Sequence, residues 1–364
     1  MKVTVSRSLL ADALRKVQGL ASGRNSMPIL SNVKIEARGQ KMEFTTTDID
    51  MSIVASITCH VIAEGATTLP AKLLSDAISK SSEGDVSIEV DDTTDKATIK
   101  AGSSIFRMAG LPEAEFPRLP ESDSNSNRFV IPQDVLKNVM RRTSYAMSDD
   151  ETRRSLRGLH FVFGDGKLTC VATDGRRLSI AEYAPDDPYQ FNLEFTIPAK
   201  SVLEITKNLG NTGNITIAQN KSQITVSLDN GVVIYSKLID DLFPNYKQVI
   251  PASNDNVVVI DRAALVAAID RVGIFSEAHS MKFDFVANEL NLLSSTEAGK
   301  GEESVPVKYE GEEIHTTFNH SYILDVLKSM DDDEVKFAFS NGTKPVVITD
   351  SSAGLALVMP LRVS

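Results

Sequence analysis

The chain repeats itself, and the period limits what it can fold into. One pattern occurs as VSRSLLADALRKV (5–17), IPQDVLKNVMRRT (131–143) and IDRAALVAAIDRV (260–272), aligning Leu10, Leu136 and Leu265 at spacings of 126 and 129 residues. A second occurs as TTLPAKLLSDAISK (67–80), FTIPAKSVLEITKN (195–208) and TTFNHSYILDVLKS (316–329), aligning Pro70, Pro198 and Asn319 at spacings of 128 and 121. Solenoid units are roughly 20–50 residues long, so a period near 125 describes whole domains. A chain of 364 residues is also too long for one ordinary core. Three domains of shared architecture are expected, at 1–125, 128–252 and 256–364, joined by the polar, turn-rich stretches ESDSNSN (121–127) and PASNDN (251–256).

Both recurrent patterns predict helices. Leu10, Ala13, Leu14 and Val17 follow the i, i+3, i+4, i+7 spacing, as do Leu265, Ala268, Ile269 and Val272, with Leu136, Val139 and Met140 between them. Pro70 and Pro198 sit where a helix start tolerates a missing N–H. Elsewhere the period is two: Leu159, Phe161 and Phe163 alternate up to GDGK, and Leu168, Cys170 and Ala172 alternate away from it. QNKS (219–222), Asn230-Gly231 and Asn341-Gly342 mark further hairpins. Each domain is therefore an α+β unit, with two helices packed on about eight short antiparallel strands.

Charge sharpens the functional question. The net charge of −11 argues against a simple cationic nucleic-acid binder. The six helical windows (6–20, 71–81, 132–147, 198–208, 261–273 and 320–330) nevertheless sum to +6, leaving −17 on the rest. At about 100° per residue, Arg15, Lys16, Lys137, Arg141 and Arg142 are expected to point away from the apolar stripes. Six helices facing one side would attract phosphates there while the outside repelled them. Domains of this size are roughly 35 Å across, so a ring of three leaves a hole of about 5 Å and a ring of four about 14 Å. Six leave about 35 Å, room for a duplex of roughly 20 Å, which a three-domain chain reaches by closing head to tail with a second copy.

Catalytic signatures are missing. EAGKGEES (297–304) lacks P-loop spacing, GxSxG and HExxH do not occur, and the five histidines form no ligand cluster in sequence, so neither cofactor nor metal is expected. MDDDE (330–334) reads as a solvated turn before a strand at Val335. Cys59 and Cys170 make no disulfide framework and no run of about 18 apolar residues occurs, so a cytoplasmic protein is expected.

The segments MPILSNV (27–33), VATDGRRL (171–178), FPNYKQVIP (243–251), FNHSYILDVL (318–327) and VMPLR (358–362) occur in an order that resembles the bacterial β sliding clamps. The resemblance implies a ring-shaped homodimer that encircles duplex DNA without sequence preference. It also implies that polymerase subunits, a clamp loader and repair proteins attach through short peptides. Carried over by motif, the peptide pocket comprises Leu156, Thr173, Gly175, Arg176, Arg177, Leu178, Pro244, Gln248 and Val249 from the second domain and its tail. The third domain adds Asn319, Tyr322, Pro345, Val346, Leu357, Val358, Met359, Pro360, Leu361 and Arg362. Expected to face DNA are Arg24, Lys72, Lys137, Arg141, Arg142, Arg154 and Lys200, and the subunit interface is expected to join Phe106 and Met108 to Ile274 and Phe275. This chain departs from the family pattern at Arg176, where His is usual, and at Arg154-Ser155, where some members carry adjacent tyrosines. Two alternatives remain: a peptide-binding scaffold that does not encircle DNA, and a three-domain enzyme, against which the missing catalytic motifs count.

Overall fold

The computed structural model describes residues 1–21, 27–91, 93–119 and 126–361. Arg24 and Arg362 lie outside the described residues. The first repeat runs β1 (Lys2–Ser6), α1 (Arg7–Ala21), β2 (Asn32–Arg38), β3 (Lys41–Thr47), β4 (Met51–Thr58), β5 (His60–Ala63), β6 (Gly65–Pro70), α2 (Ala71–Ser79), β7 (Asp85–Asp91), β8 (Lys96–Ala101) and β9 (Ser104–Ala109). The second follows with β10 (Asn127–Pro132), α3 (Gln133–Thr143), β11 (Gly158–Gly164), β12 (Lys167–Thr173), β13 (Arg177–Tyr183), β14 (Leu193–Pro198), α4 (Ala199–Asn208), β15 (Asn214–Gln219), β16 (Gln223–Leu228) and β17 (Val232–Lys237). The third has β18 (Asn256–Asp261), α5 (Arg262–Val272), β19 (Ser280–Val286), β20 (Glu289–Thr296), β21 (Gly299–Lys308), β22 (Ile314–Asn319), α6 (His320–Ser329), β23 (Glu334–Phe339), β24 (Val346–Thr349) and β25 (Gly354–Val358). Among the described residues the element order is the same three times, except that the first repeat inserts the short β5.

The expected helices bury their expected stripes. Leu10, Leu14 and Val17 of α1, and Leu265, Ala268 and Ile269 of α5, are at most 1% exposed. Burying each of the Leu, Val and Ile side chains stabilises the fold by roughly 1.5–3 kcal/mol. The GDGK hairpin closes with Asp165 and Gly166 both at positive φ (52° and 77°), the mirror-image turn that matches the twist of paired strands.

Contacts divide the chain into two compact units: Met1–Asp134 with Leu203–Leu238, and Val135–Val202 with Ile239–Ser364. The cut passes through the second repeat. In the first unit, a five-stranded sheet has the order β5-β1-β7-β8-β9, and an eight-stranded sheet the order β10-β15-β16-β17-β4-β3-β2-β6. In the second, one twelve-stranded sheet runs β14-β11-β12-β13-β25-β24-β23-β18-β21-β20-β19-β22. Each half-sheet of the second repeat thus joins a neighbouring repeat edge to edge. The first seam pairs β17 with β4 (Ser236↔Met51, Ile234↔Ile53), and the second pairs β25 with β13 (Val358↔Arg177, Ala356↔Ser179). Main-chain hydrogen bonds, not a linker alone, hold neighbouring repeats together.

Candidate functional site

The second seam carries the expected pocket residues. Its centre is the turn between β12 and β13. Thr173 Oγ1 donates to the Arg177 carbonyl at 2.6 Å and accepts from the Gly175 N–H at 3.1 Å. Asp174 Oδ1 accepts from the N–H groups of Arg176 and Arg177 at 2.8 and 2.9 Å. Gly175 sits at φ 84°, a conformation open to glycine.

The two arginines after this turn divide the work. The Arg177 side chain is only 12% exposed and ion-pairs with Asp174 at 3.0 Å and with Asp325 of α6 at 2.6 Å. Its guanidinium lies 4.3 Å from the Tyr322 ring centroid and 5.5 Å from that of Tyr145, both within cation–π range. Arg177 therefore clamps the turn to the third repeat. Arg176 is exposed, and the Tyr322 side chain and Asp174 raise its pKa still further. With Met147, Asp150, Arg153 and Tyr322 it lines a cleft of about 280 Å³.

An apolar floor adjoins the turn. Val171, Leu178, Ile180, Val347 and Leu357 form one buried cluster, against which Phe243, Tyr246 and Ile250 pack. Phe243 stacks on His160 at 4.4 Å with an interplanar angle of 1°. Burial pushes His160 down to about 4, so it is neutral at pH 7 and serves as a flat packing surface. The chain leaves β25 with the Met359 N–H donating to the Arg176 carbonyl (2.9 Å) and the Leu361 N–H to the Thr317 carbonyl (2.7 Å). These bonds hold Met359 (44% exposed) and Leu361 (37%) outward as apolar contact surface, and Val249 of the segment before β18 is exposed as well (55%). Pro244, Gln248 and Gly175 are exposed, and Pro345 and Pro360 half-buried.

Several expectations need correction. Val346 and Val358 are fully buried in the third repeat's core and back the floor without reaching a ligand. Leu156, Leu178 and Leu357 are at most 9% exposed, so they present little surface. Asn319 caps α6 by accepting from the Ser321 N–H at 3.0 Å, and so serves the helix. Tyr246, Phe243, Ile180 and Val347 were missed. The last two lie on the same sheet face as Leu178 and Leu357, so strand alternation held the signal.

Among the expected DNA-facing cations, Arg142 is wrong. Its side chain is 7% exposed and forks onto the buried Asp350 carboxylate at 2.8 and 2.9 Å. Burial alone would raise the Asp350 carboxyl, but the hydrogen bonds and charge of Arg142 hold it below the usual carboxylate range. Arg141 is half committed as well, to Asp331 at 2.6 Å and the Ser329 carbonyl at 2.8 Å. A helical wheel ignores the acids another repeat brings to it, here from MDDDE and the β24–β25 turn. Lys16 and Arg15 share Asp12 on their own helix. Lys72, Lys200 and Arg154 are exposed, and Lys137 is half-buried.

Of the expected interface residues, Ile274 (77%) and Phe275 (36%) are exposed, whereas Met108 is 5% exposed and points into its own repeat, with Phe106 half-buried on the same face. The exposed residues of β9 are Ile105, Arg107 and Ala109. A side chain on Gly299 or Gly301 would meet the Phe275 ring at 3.0 and 2.8 Å, so these glycines let Phe275 lie on β21.

Three family descriptions match along the chain: DNA polymerase III beta subunit N-terminal domain at residues 1–120, central domain at 130–245 and C-terminal domain at 247–362. The chain belongs to this family. It is 33% identical over 365 residues to the beta sliding clamp of Chlamydia pneumoniae, covering 100% of this chain and 99% of that one. It is 33% identical over 373 residues to that of Caulobacter vibrioides, covering 100% of both. The crystal structure of a Pseudomonas aeruginosa sliding clamp bound to griselimycin superposes with a TM-score of 0.94 at 30% identity, covering 100% of each chain. The role is therefore that of a sliding clamp, a non-catalytic subunit that makes DNA polymerase processive. No described helix is long and apolar enough to cross a membrane.

Proposed function

We propose that three domains, 1–125, 128–252 and 256–364, close with those of a second copy into a cytoplasmic ring around duplex DNA. The apolar surface at the second seam then holds short peptides of polymerase subunits, a clamp loader and repair proteins, one at a time. The observation that carries ring closure is a pair of unused edges. Each seam joins one strand type (β4 or β13) to another (β17 or β25). By repeat position the third partners are β21 and β9. The described residues pair β9 only with β8, and β21 outside Val307 and Lys308 only with β20. Continuing the seam register across two copies sets Met108 opposite Gly299 and Phe106 opposite Gly301 of the second copy, under the Phe275 ring. Ile274 and Phe275 then lie beside the joint, and Met108 contributes backbone rather than side chain. Inside such a ring Lys72, Lys137, Lys200 and Arg154 supply phosphate attraction without reading bases.

Retention on DNA tests the ring. Protein loaded on a closed circular plasmid should remain through gel filtration and leave once the plasmid is cut. Equal escape from circles and linear DNA would overturn encirclement and favour a peptide scaffold that does not enclose DNA. For the pocket, Met359→Ala and Leu361→Ala should each weaken a fluorescent partner peptide by about tenfold, from about 1.4 kcal/mol of lost apolar burial. Unchanged anisotropy titrations would show that the peptide binds elsewhere.

A further inference from the structure

We propose that His279 and His320 form an acid-sensitive latch on the edge that meets the second subunit, loosening that joint when His320 takes up a proton. The idea rests on the dimer reading above and concerns its control. His320 opens α6, and its ring packs edge to face on His279, with centroids 5.4 Å apart. The imidazole also lies on Gly273, the first residue of the short turn Gly273–Phe275; a side chain at Gly273 would meet the ring at 3.1 Å. That turn carries Ile274 and Phe275, the exposed apolar pair beside β21.

Three features make the neutral ring the one that fits. Its Nδ1 is buried without a hydrogen-bond partner, so a proton placed there finds no acceptor. It sits in the first turn of a helix, where the dipole disfavours positive charge. Burial and His279 push its pKa below the usual histidine range, and Asp270 of α5 only partly opposes them. The other charged groups nearby are engaged or turned to water. Arg271 of α5 holds Glu303 at 2.9 Å, Lys282 of β19 pairs with Asp284 at 2.8 Å, and Glu277 of the loop is exposed.

The loop has little slack. Ala278 and His279 both adopt positive φ (50° and 59°), unusual for residues with side chains. They are held by the His320 N–H donating to the His279 carbonyl at 2.8 Å and by Ser276 Oγ donating to the Ser280 carbonyl at 2.7 Å. A protonated His320 is relieved by swinging its Nδ1 to water. That movement lifts the ring from Gly273 and frees the turn bearing Ile274. Because the folded-state pKa is depressed, the latch is intact above the ordinary histidine value of about 6.5 and is lost as pH falls through the lower folded value.

The test combines sedimentation of the full chain at pH 7.5 and 5.5 with the NMR shift of the Ile274 methyl group across that range. The dimer dissociation constant should rise severalfold at pH 5.5, with the Ile274 methyl titrating in step. His320→Gln should remove both responses while remaining dimeric at pH 7.5. His279→Asn, which suits the left-handed backbone, should weaken them. A pH-independent dimer, an Ile274 signal that does not titrate, or a wild-type response retained in His320→Gln would overturn the latch. A chain monomeric at pH 7.5 would instead overturn the dimer reading, and the Ile274 titration would still decide whether the latch exists.

Discussion

The two seams share a backbone and differ in chemistry. At the first, Thr47 Oγ1 donates to the Met51 carbonyl at 2.9 Å and accepts from the Ile49 N–H at 3.1 Å, and Asp48 Oδ1 accepts from the N–H groups of Asp50 and Met51 at 3.1 and 2.8 Å. These are the bonds made by Thr173 and Asp174 at the second. The next strand also returns alike: the Lys237 N–H donates to the Asp50 carbonyl at 2.9 Å, as the Met359 N–H does to that of Arg176. Yet the floor positions Val171, Leu178, Ile180, Val347 and Leu357 are matched by Thr45, Ser52, Val54, Thr225 and Tyr235. Where the second lip offers Arg176 and Met359, the first closes on an Asp50–Lys237 ion pair at 2.8 Å. The turn is architecture that joins repeats; for the peptide site proposed above, five floor side chains and the lip make the difference, since a floor with four hydroxyl side chains gains little by burying Leu or Phe.

The largest expected effect tests the bracing under each seam. Lys16, Arg142 and Arg271 occupy the same position in the first helix of each repeat, but only Arg142 has a buried partner, Asp350. Arg142→Ala should cost about 3–5 kcal/mol of stability in urea titrations by stranding that carboxylate. Lys16→Ala, whose partner Asp12 is 43% exposed, should cost at most about 0.5 kcal/mol. The Asp350 carboxyl is depressed in the folded chain, so its contribution is complete above about 3.9 and is lost as pH falls through the folded value. Arg142→Ala should flatten stability across that acid window, and an unchanged acid profile would place the brace elsewhere.

The next effect tests the turns. Ile49 is β-branched and sits at φ 82°, where Gly175 sits at 84°. Strain of this kind costs roughly 1–3 kcal/mol. Ile49→Gly should therefore raise the melting temperature, whereas Gly175→Ile should lower it and push into Arg153, whose Nη1 stands 2.8 Å from the new Cβ position. Opposite signs are the expected result; a loss of stability in both would mean that the 54% exposed Ile49 makes a contact worth more than its strain. Smallest of all, Lys237→Met should change stability by at most about 0.5 kcal/mol, because the ion pair it breaks is exposed. It should also leave peptide stoichiometry at one per chain in calorimetric titration, since the floor beneath remains polar.

Much of this was legible in the sequence, for identifiable reasons. The spacing of Leu10, Leu136 and Leu265 carried the repeat, and i, i+3, i+4 stripes carried the helices, because both are local patterns. The second seam's turn was legible because Thr173, Asp174 and Gly175 each supply a bond or dihedral that few other residues supply. What failed was non-local. Arg142 reads as a solvated cation until Asp350, 208 residues away in sequence, is brought beneath it. The first seam escaped notice because Ile49 stands where a turn signal would be a glycine.

The open edge of β9 has a consequence for how the chain is made. It is complete by Ala109, nearly two hundred residues before Gly299 of β21 emerges. Beyond β8 on its other side, its own chain offers that edge no mate among the described strands. Every newly synthesised copy therefore carries an exposed strand that invites stray pairing, with the charge of Arg107 on its rim as a deterrent. In the ring proposed above, finding the second subunit quickly is thus a matter of solubility as well as of function.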